Sequence, residues 1–226
     1  MTHYHGKDRL PRQLDILSAA PNLGECRLAF YGVADHPAPE SRSRVLDYLS
    51  APSLHFLRVE EGLGSVLPFI QRSSCCLRVL AFVDCRTDPK MENIVIDVLR
   101  ALPLLEHFLV DGAFEWAPLY TAMTISELSR TLCPSLKFFG CGTQSGSALQ
   151  HSELDALLSM VRSRRGMGSA QRLRSLRVLW QPPSDRDPNV HIWEEFAKEA
   201  GGIDVVLVPY NQTFNFLEEG EPHHLF

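Results

Sequence analysis

One short pattern punctuates this chain. It is L-x-x-L-x-L, with Cys, Phe, Val or Ile sometimes standing for leucine. The sets start at positions 23, 54, 77, 105, 136, 176 and 203. In an extended segment alternate side chains point to opposite faces, so each set offers one apolar side. Between sets lie stretches with helical spacing. Glu92 to Leu102 is the plainest, with Ile94, Val95, Val98, Leu99 and Leu102 on one stripe. Further helices are predicted over Arg12 to Ala20, Ser43 to Ser50, Val66 to Gln71, Ala122 to Leu132, Ser152 to Arg162 and Ile192 to Ala200. A single strand–helix unit cannot bury its apolar face, whereas stacked units share a continuous core.

The intervals between starts are 31, 23, 28, 31, 40 and 27 residues. Most are near the ~20–29 residues of leucine-rich repeats, and the longer ones carry insertions such as Asp35 to Ser41 and Gly140 to Ala148. The expected fold is α/β: a right-handed leucine-rich-repeat solenoid, with parallel strands on the concave side and helices on the convex side. Residues 12–210 form one domain of about seven irregular repeats, between a flexible N-terminus at 1–11 and a tail at 211–226. A doubly wound α/β domain also alternates strands and helices, but its strands, covered on both faces, read as unbroken apolar runs. Here several carry charge on one side: Glu25 and Arg27, Arg58 and Glu60, His107 and Asp111.

Composition narrows the classes. The 226 residues are 45% hydrophobic and 22% charged, as in ordinary globular domains. A net charge of -5 gives no general push towards nucleic acid or anionic membrane. No apolar run has bilayer-spanning length, and the first residues hold no signal core. The six cysteines, Cys26, Cys75, Cys76, Cys85, Cys133 and Cys141, sit mostly in apolar segments. They read as reduced, small core residues of a cytoplasmic or nuclear protein.

Four helix ends share a signature: Ala20-Pro21-Asn22-Leu23, Ala51-Pro52-Ser53-Leu54, Leu102-Pro103-Leu104-Leu105 and Cys133-Pro134-Ser135-Leu136. With the closing Trp193, Phe196 and Gly201-Gly202-Ile203-Asp204-Val205, they resemble the repeat region of F-box proteins abundant in mushroom-forming fungi. The resemblance covers about residues 12 to 210 and implies a ribonuclease-inhibitor-like architecture. It also implies a target-recognition subunit of a cullin-RING ubiquitin ligase, in which an N-terminal F-box docks on the ligase adaptor and the repeats hold the target. Leu10 to Leu17 resembles an F-box opening but runs straight into the set at Leu23. Contact with the adaptor is therefore expected only if an F-box precedes Met1.

The bare strand face is the expected binding surface, for a protein or peptide. Residues at the third, fifth and seventh positions of each set line it. The candidates are Arg27, Phe56, Arg58, Glu60, His107, Asp111, Phe138 and Trp180, with Val79 and Ala81 beside them. Aromatic and arginine side chains are the usual anchors of interfaces. No enzymatic activity, cofactor, metal, nucleic acid or membrane is expected. Two other readings stay open: a stand-alone repeat scaffold unconnected with ubiquitin, and an α/β enzyme with Asp84 and Asp111 just past strand ends.

Other features have plainer accounts. Arg162, Arg164, Arg165, Arg172, Arg174 and Arg177 form a basic run that suits a helix C-terminus followed by a solvated loop. Gly140 to Gly146 misses a dinucleotide-binding spacing by one residue and reads as an inter-repeat loop. His3, His5, His223 and His224 lie near the chain ends with no partner motif for a metal. Asn211-Gln212-Thr213 matches a glycosylation acceptor that only a secreted chain would use. Cys75-Cys76 is too closely spaced for a zinc pair.

Overall fold

The structure is a computed structural model that describes residues 20–28, 45–60, 62–85, 91–112, 115–126, 131–142, 151–165, 172–180 and 190–209. The expected helix over Arg12 to Ala20 lies outside them except for Ala20.

Seven strands form one sheet: β1 (Glu25–Leu28), β2 (Phe56–Val59), β3 (Val79–Cys85), β4 (His107–Gly112), β5 (Phe138–Gly142), β6 (Ser175–Trp180) and β7 (Asp204–Pro209). Every neighbouring pair is parallel, and the order in the sheet is the order in the chain. The helices are α1 (Val45–Tyr48), α2 (Val66–Ser73), α3 (Met91–Arg100), α4 (Trp116–Met123), α5 (His151–Arg165) and α6 (Val190–Ala200). Each helix packs against the next.

One core holds the two layers together. Leu57, Val59, Leu80, Phe82, Phe108, Val110, Phe139, Cys141, Leu176 and Val178 come from alternate strand positions. They join Val66, Phe69, Val95, Leu99, Trp116, Tyr120, Leu157 and Val161 from the helices. Phe108 is the aromatic centre, with ring centroids 5.9 Å from both Phe82 and Phe139. Phe56, Ala81 and Leu109 are also buried, yet they occupy the other strand parity and do not belong to that core.

The proline signature has a structural cause. In all four cases the leucine N–H donates to the carbonyl three residues back: Leu23 to Ala20 at 3.1 Å, Leu54 to Ala51 at 3.2 Å, Leu105 to Leu102 at 3.2 Å and Leu136 to Cys133 at 3.0 Å. Proline stands at the second position of each turn, where its fixed φ is already suitable. The turn drops the leucine into the core and leads straight into the next strand.

Three expectations need correction. The helix placed over Ala122 to Leu132 lies earlier, at Trp116–Met123. Trp116, Leu119, Tyr120 and Met123 make its buried stripe, and Pro118 is tolerated in the first turn. The chain is extended at Thr124, and Thr131 and Leu132 are not helical. The sixth set begins at Leu173, three residues before the expected start. Leu176 pairs with Phe139 and Val178 with Cys141, so Leu173, Leu176 and Val178 take the apolar positions. The seventh set slips by one. Val205 pairs with Leu176 and Leu207 with Val178, whereas Val206 pairs with Arg177 on the opposite parity. Gly201 (φ 50°) and Gly202 (φ 86°) leave no side chain for the first position, and the neighbouring Ile203 is the buried residue.

Candidate functional site

The strand parity opposite the core builds the site. Register places Glu25, Phe56, Val79, His107, Phe138, Ser175 and Asp204 in one row across the sheet. The next row is Arg27, Arg58, Ala81, Leu109, Gly140, Arg177 and Val206. Strand neighbours lie ~4.8 Å apart, so each row is a line of closely spaced side-chain positions.

The middle of this surface is apolar and its ends are charged. Phe56 is 4% exposed and Leu109 3%, while Arg27, Glu25 and Asp204 are open to solvent. The Arg27 guanidinium lies over the Phe56 ring, 5.1 Å from its centroid, as a cation–π contact. His107 stacks on Phe138 with centroids 5.7 Å apart and planes at 20°. Gly140 has a packing reason: a Cβ there would lie 3.0 Å from Leu109 Cδ1. Arg58 donates from Nη2 to Glu60 Oε1 at 3.2 Å.

The structure thus brings Arg27 and Phe56 together, Arg58 and Glu60 together, and His107 and Phe138 together. Asp111 lies one step further along β4, is 6% exposed, and pairs in register with Gly142. Asp111 and Asp84 are within β4 and β3, which corrects the expectation that placed them just past the strand ends. Trp180 pairs in register with Pro209 and has the strand parity of Leu176 and Val178. Framed from Leu173, the sixth set gives Trp180 its eighth position rather than its fifth. Gly140, Cys141 and Gly142 are strand residues, which corrects the loop expected from Gly140 onwards, and 143–146 lie outside the described residues.

A third row was missed. The residue preceding each of β2 to β6 is His55, Arg78, Glu106, Lys137 and Arg174, linked by backbone hydrogen bonds from one to the next. Lys137 Nζ lies 2.6 Å from Glu106 Oε2, and Arg78 Nη1 lies 3.6 Å from Glu106 Oε1. Arg174 continues the row, its N–H 2.7 Å from the Lys137 carbonyl. These residues hold the second position of their sets once the sixth is framed from Leu173, so aligning the sets by that position would have shown His55, Arg78, Glu106 and Lys137 from the sequence, though not Arg174.

Two groups here titrate away from their ordinary values. Hydrogen bonding from Lys137 holds the Glu106 carboxyl below the usual range, helped by the charges of Lys137 and Arg78. Burial lowers His107, and the Lys137 charge adds to this while Glu106 opposes it. Imidazole is thereby favoured over imidazolium, which suits a ring stacked on Phe138. Elsewhere burial pushes the thiols of Cys133 and Cys141 up to about 12, so both are protonated at neutral pH.

The basic run is not one patch. Arg164 is inside the protein, which corrects its expected place in a solvated helix end. Arg162 pairs with Glu199, Arg172 Nη2 lies 3.3 Å from the Gly201 carbonyl, Arg174 belongs to the row above, and Arg177 is half-buried in β6.

Among the described residues no group of three His, Cys, Asp or Glu side chains is placed to hold a metal, and no helix is long and apolar enough to cross a membrane. No family model matches the chain, and no curated protein matches its sequence.

Proposed function

We propose that this chain is a right-handed leucine-rich-repeat solenoid of the ribonuclease-inhibitor-like kind, and that its open sheet face binds a protein. The observation that carries this reading is the strand order. Seven parallel strands run in chain order, and alternate residues serve a buried core on one side and a charged, aromatic surface on the other. A partner meeting that surface finds the half-buried Val79, His107 and Phe138 at the centre and charges around them, the usual anatomy of a protein interface. The chain acts by holding its partner, without bond chemistry of its own.

Within this reading, the partner is the target of a cullin-RING ubiquitin ligase. Support for that part comes from the four proline-turn signatures and the Gly201-Gly202 ending, which resemble the repeats of fungal F-box proteins.

The test is affinity capture from cells with three baits: the native chain, a His107→Ala/Phe138→Ala double variant, and an Asp155→Lys variant altered on the exposed side of α5. Proteins retained by the native and Asp155→Lys baits but lost from the double variant are the expected result. Ubiquitin-ligase components among the material bound to longer gene products that carry an F-box would support the narrower part. Equal retention by all three baits overturns the assignment of the face.

A further inference from the structure

The row formed by Arg78, Glu106, Lys137 and Arg174 has a charge that the molecule as a whole does not. The chain carries a net -5, yet this row sets three cations against one carboxylate. Glu106 is already engaged by Lys137 at 2.6 Å and approached by Arg78 at 3.6 Å. The Arg78 side chain is 68% exposed. Arg174 is exposed and has no ion-pair partner among the described residues. The row therefore has cationic reach to spare at Arg78 and Arg174, just before β3 and β6. Directly beside its middle, one residue further along β4 and β5, lies the His107–Phe138 stack. That stack is half-buried and, with His107 favoured as neutral imidazole, adds apolar surface rather than charge.

We infer that this combination takes an acidic, extended polypeptide segment running across the strands. One apolar side chain of the segment covers His107 and Phe138, and a carboxylate on either side reaches Arg78 and Arg174. The inference rests on the reading of the open face as a protein-binding surface and names the chemistry of what binds there. Geometry sets the spacing. Arg78 and Arg174 are three strand steps apart, roughly 14 Å at ~4.8 Å per step. An extended chain covers that distance in about four residues. The recognised pattern is then acid-x-apolar-x-acid. A nucleic acid fits the row less well, because only a few phosphates would find a cation and the rest would meet an acidic protein.

The probe is a fluorescent nonapeptide, Gly-Ser-Glu-Ala-Phe-Ala-Glu-Ser-Gly, titrated against the full chain by fluorescence anisotropy up to millimolar protein. The comparison peptide has the same composition with both glutamates placed together before the phenylalanine. The spaced peptide should bind at least about fivefold tighter than the clustered one, and its affinity should fall with salt as exposed charge pairs do. Arg174→Glu should weaken it by a similar factor. Replacing the distal glutamate of the peptide by lysine should restore binding to Arg174→Glu but not to the native chain. A circular dichroism melt checks that the variant stays folded. Absence of binding by the native chain, equal affinity for the two peptides, or displacement by a single-stranded RNA oligomer would each overturn the inference. If cellular capture depends on His107 and Phe138 while Arg78→Gln and Arg174→Glu leave it unchanged, only the acidic specificity fails. If capture ignores His107 and Phe138 as well, the face itself has been misassigned.

Discussion

Arg164, on α5, donates from Nε to the carbonyl of Met123 at the end of α4, 3.0 Å away. The rest of the fork is also used: Nη1 reaches the Cys133 carbonyl at 3.1 Å and Nη2 the Leu132 carbonyl at 2.6 Å. Burial lowers this guanidinium to about 10, which leaves it charged at neutral pH. The preceding residue, Ser163, accepts from the Ile125 N–H at 3.0 Å. The first helices show the same device. Arg72 donates to the Leu46 carbonyl within α1 and the Leu49 carbonyl just past it, and Ser73 accepts from Ala51 N–H at 3.2 Å. In both places an Arg–Ser pair in one helix satisfies backbone groups at and beyond the end of the helix before it.

Removing that buried fork leaves three carbonyls without their donor. Arg164→Met should destabilise the chain by about 2–5 kcal/mol. Arg164→Lys should recover only part of this, because an ammonium cannot span three divergent acceptors. Urea denaturation followed by circular dichroism measures both.

Neighbouring leucines should behave in opposite ways. Leu104 occupies the third position of its proline turn and is 56% exposed, whereas Leu105, the next residue, is 0% exposed. Leu105→Ala should cost about 2–5 kcal/mol and Leu104→Ala less than about 0.5 kcal/mol. Leu173→Ala should behave like Leu105→Ala, since Leu173 opens the sixth set. A small effect at Leu173 would restore the later frame.

Acid should weaken the protein through His107. Its ordinary value is 6.5 and the folded protein lowers it, so below 6.5 the unfolded chain binds more protons than the native one. The stability that neutral His107 contributes is fully present above 6.5 and is lost as pH falls towards the lowered native value. The groups facing the ring are Phe138, Glu106 and Lys137. Glu106 responds in a lower window: its lowered value keeps its contribution above 4.5 and releases it as pH falls further. Stability curves of the native chain and His107→Phe should run parallel above 6.5 and diverge below it, with the native chain falling faster. Parallel curves throughout would mean that the ring is not held neutral.

Thiol reactivity should separate the described cysteines. Cys76 is exposed, while Cys133 and Cys141 are buried with values near 12. Alkylation at pH 8 with mass-spectrometric mapping should label Cys76 in minutes and spare Cys133 and Cys141 until denaturant is added. Early labelling of either buried thiol would show local opening of its strand or turn.

The first five sets were legible because each offers a single frame, and all five fall in mutual register in the sheet. The sixth was ambiguous because Leu173, Leu176 and Leu179 are evenly spaced by three, so two frames fit. The frame beginning at Leu173 closes on Val178, the other on Gln181; the apolar ending was the better guide. In the seventh, Val205 to Val208 is apolar on both parities, and alternation gives no choice. Arg164 was hidden by its arginine neighbours. Yet Leu157, Met160, Val161 and Arg164 follow helical core spacing, which marks the arginine as inward-facing. Of the candidate surface, the positions of Arg27, Phe56, Arg58, His107 and Phe138 could be read from the pattern. In the row, Arg78, Glu106 and Lys137 share the second position of sets whose frames were legible and could have been aligned, whereas Arg174 was hidden by the misplaced sixth frame.

Strand order that copies chain order has a consequence for synthesis. A polypeptide leaving the ribosome lays each new strand on the edge completed just before it, and no later segment has to thread between strands already joined. Every exposed edge is transient until its successor arrives, so the growing protein is protected from its own length: the tenth unit of such a chain would meet the same docking problem as the second.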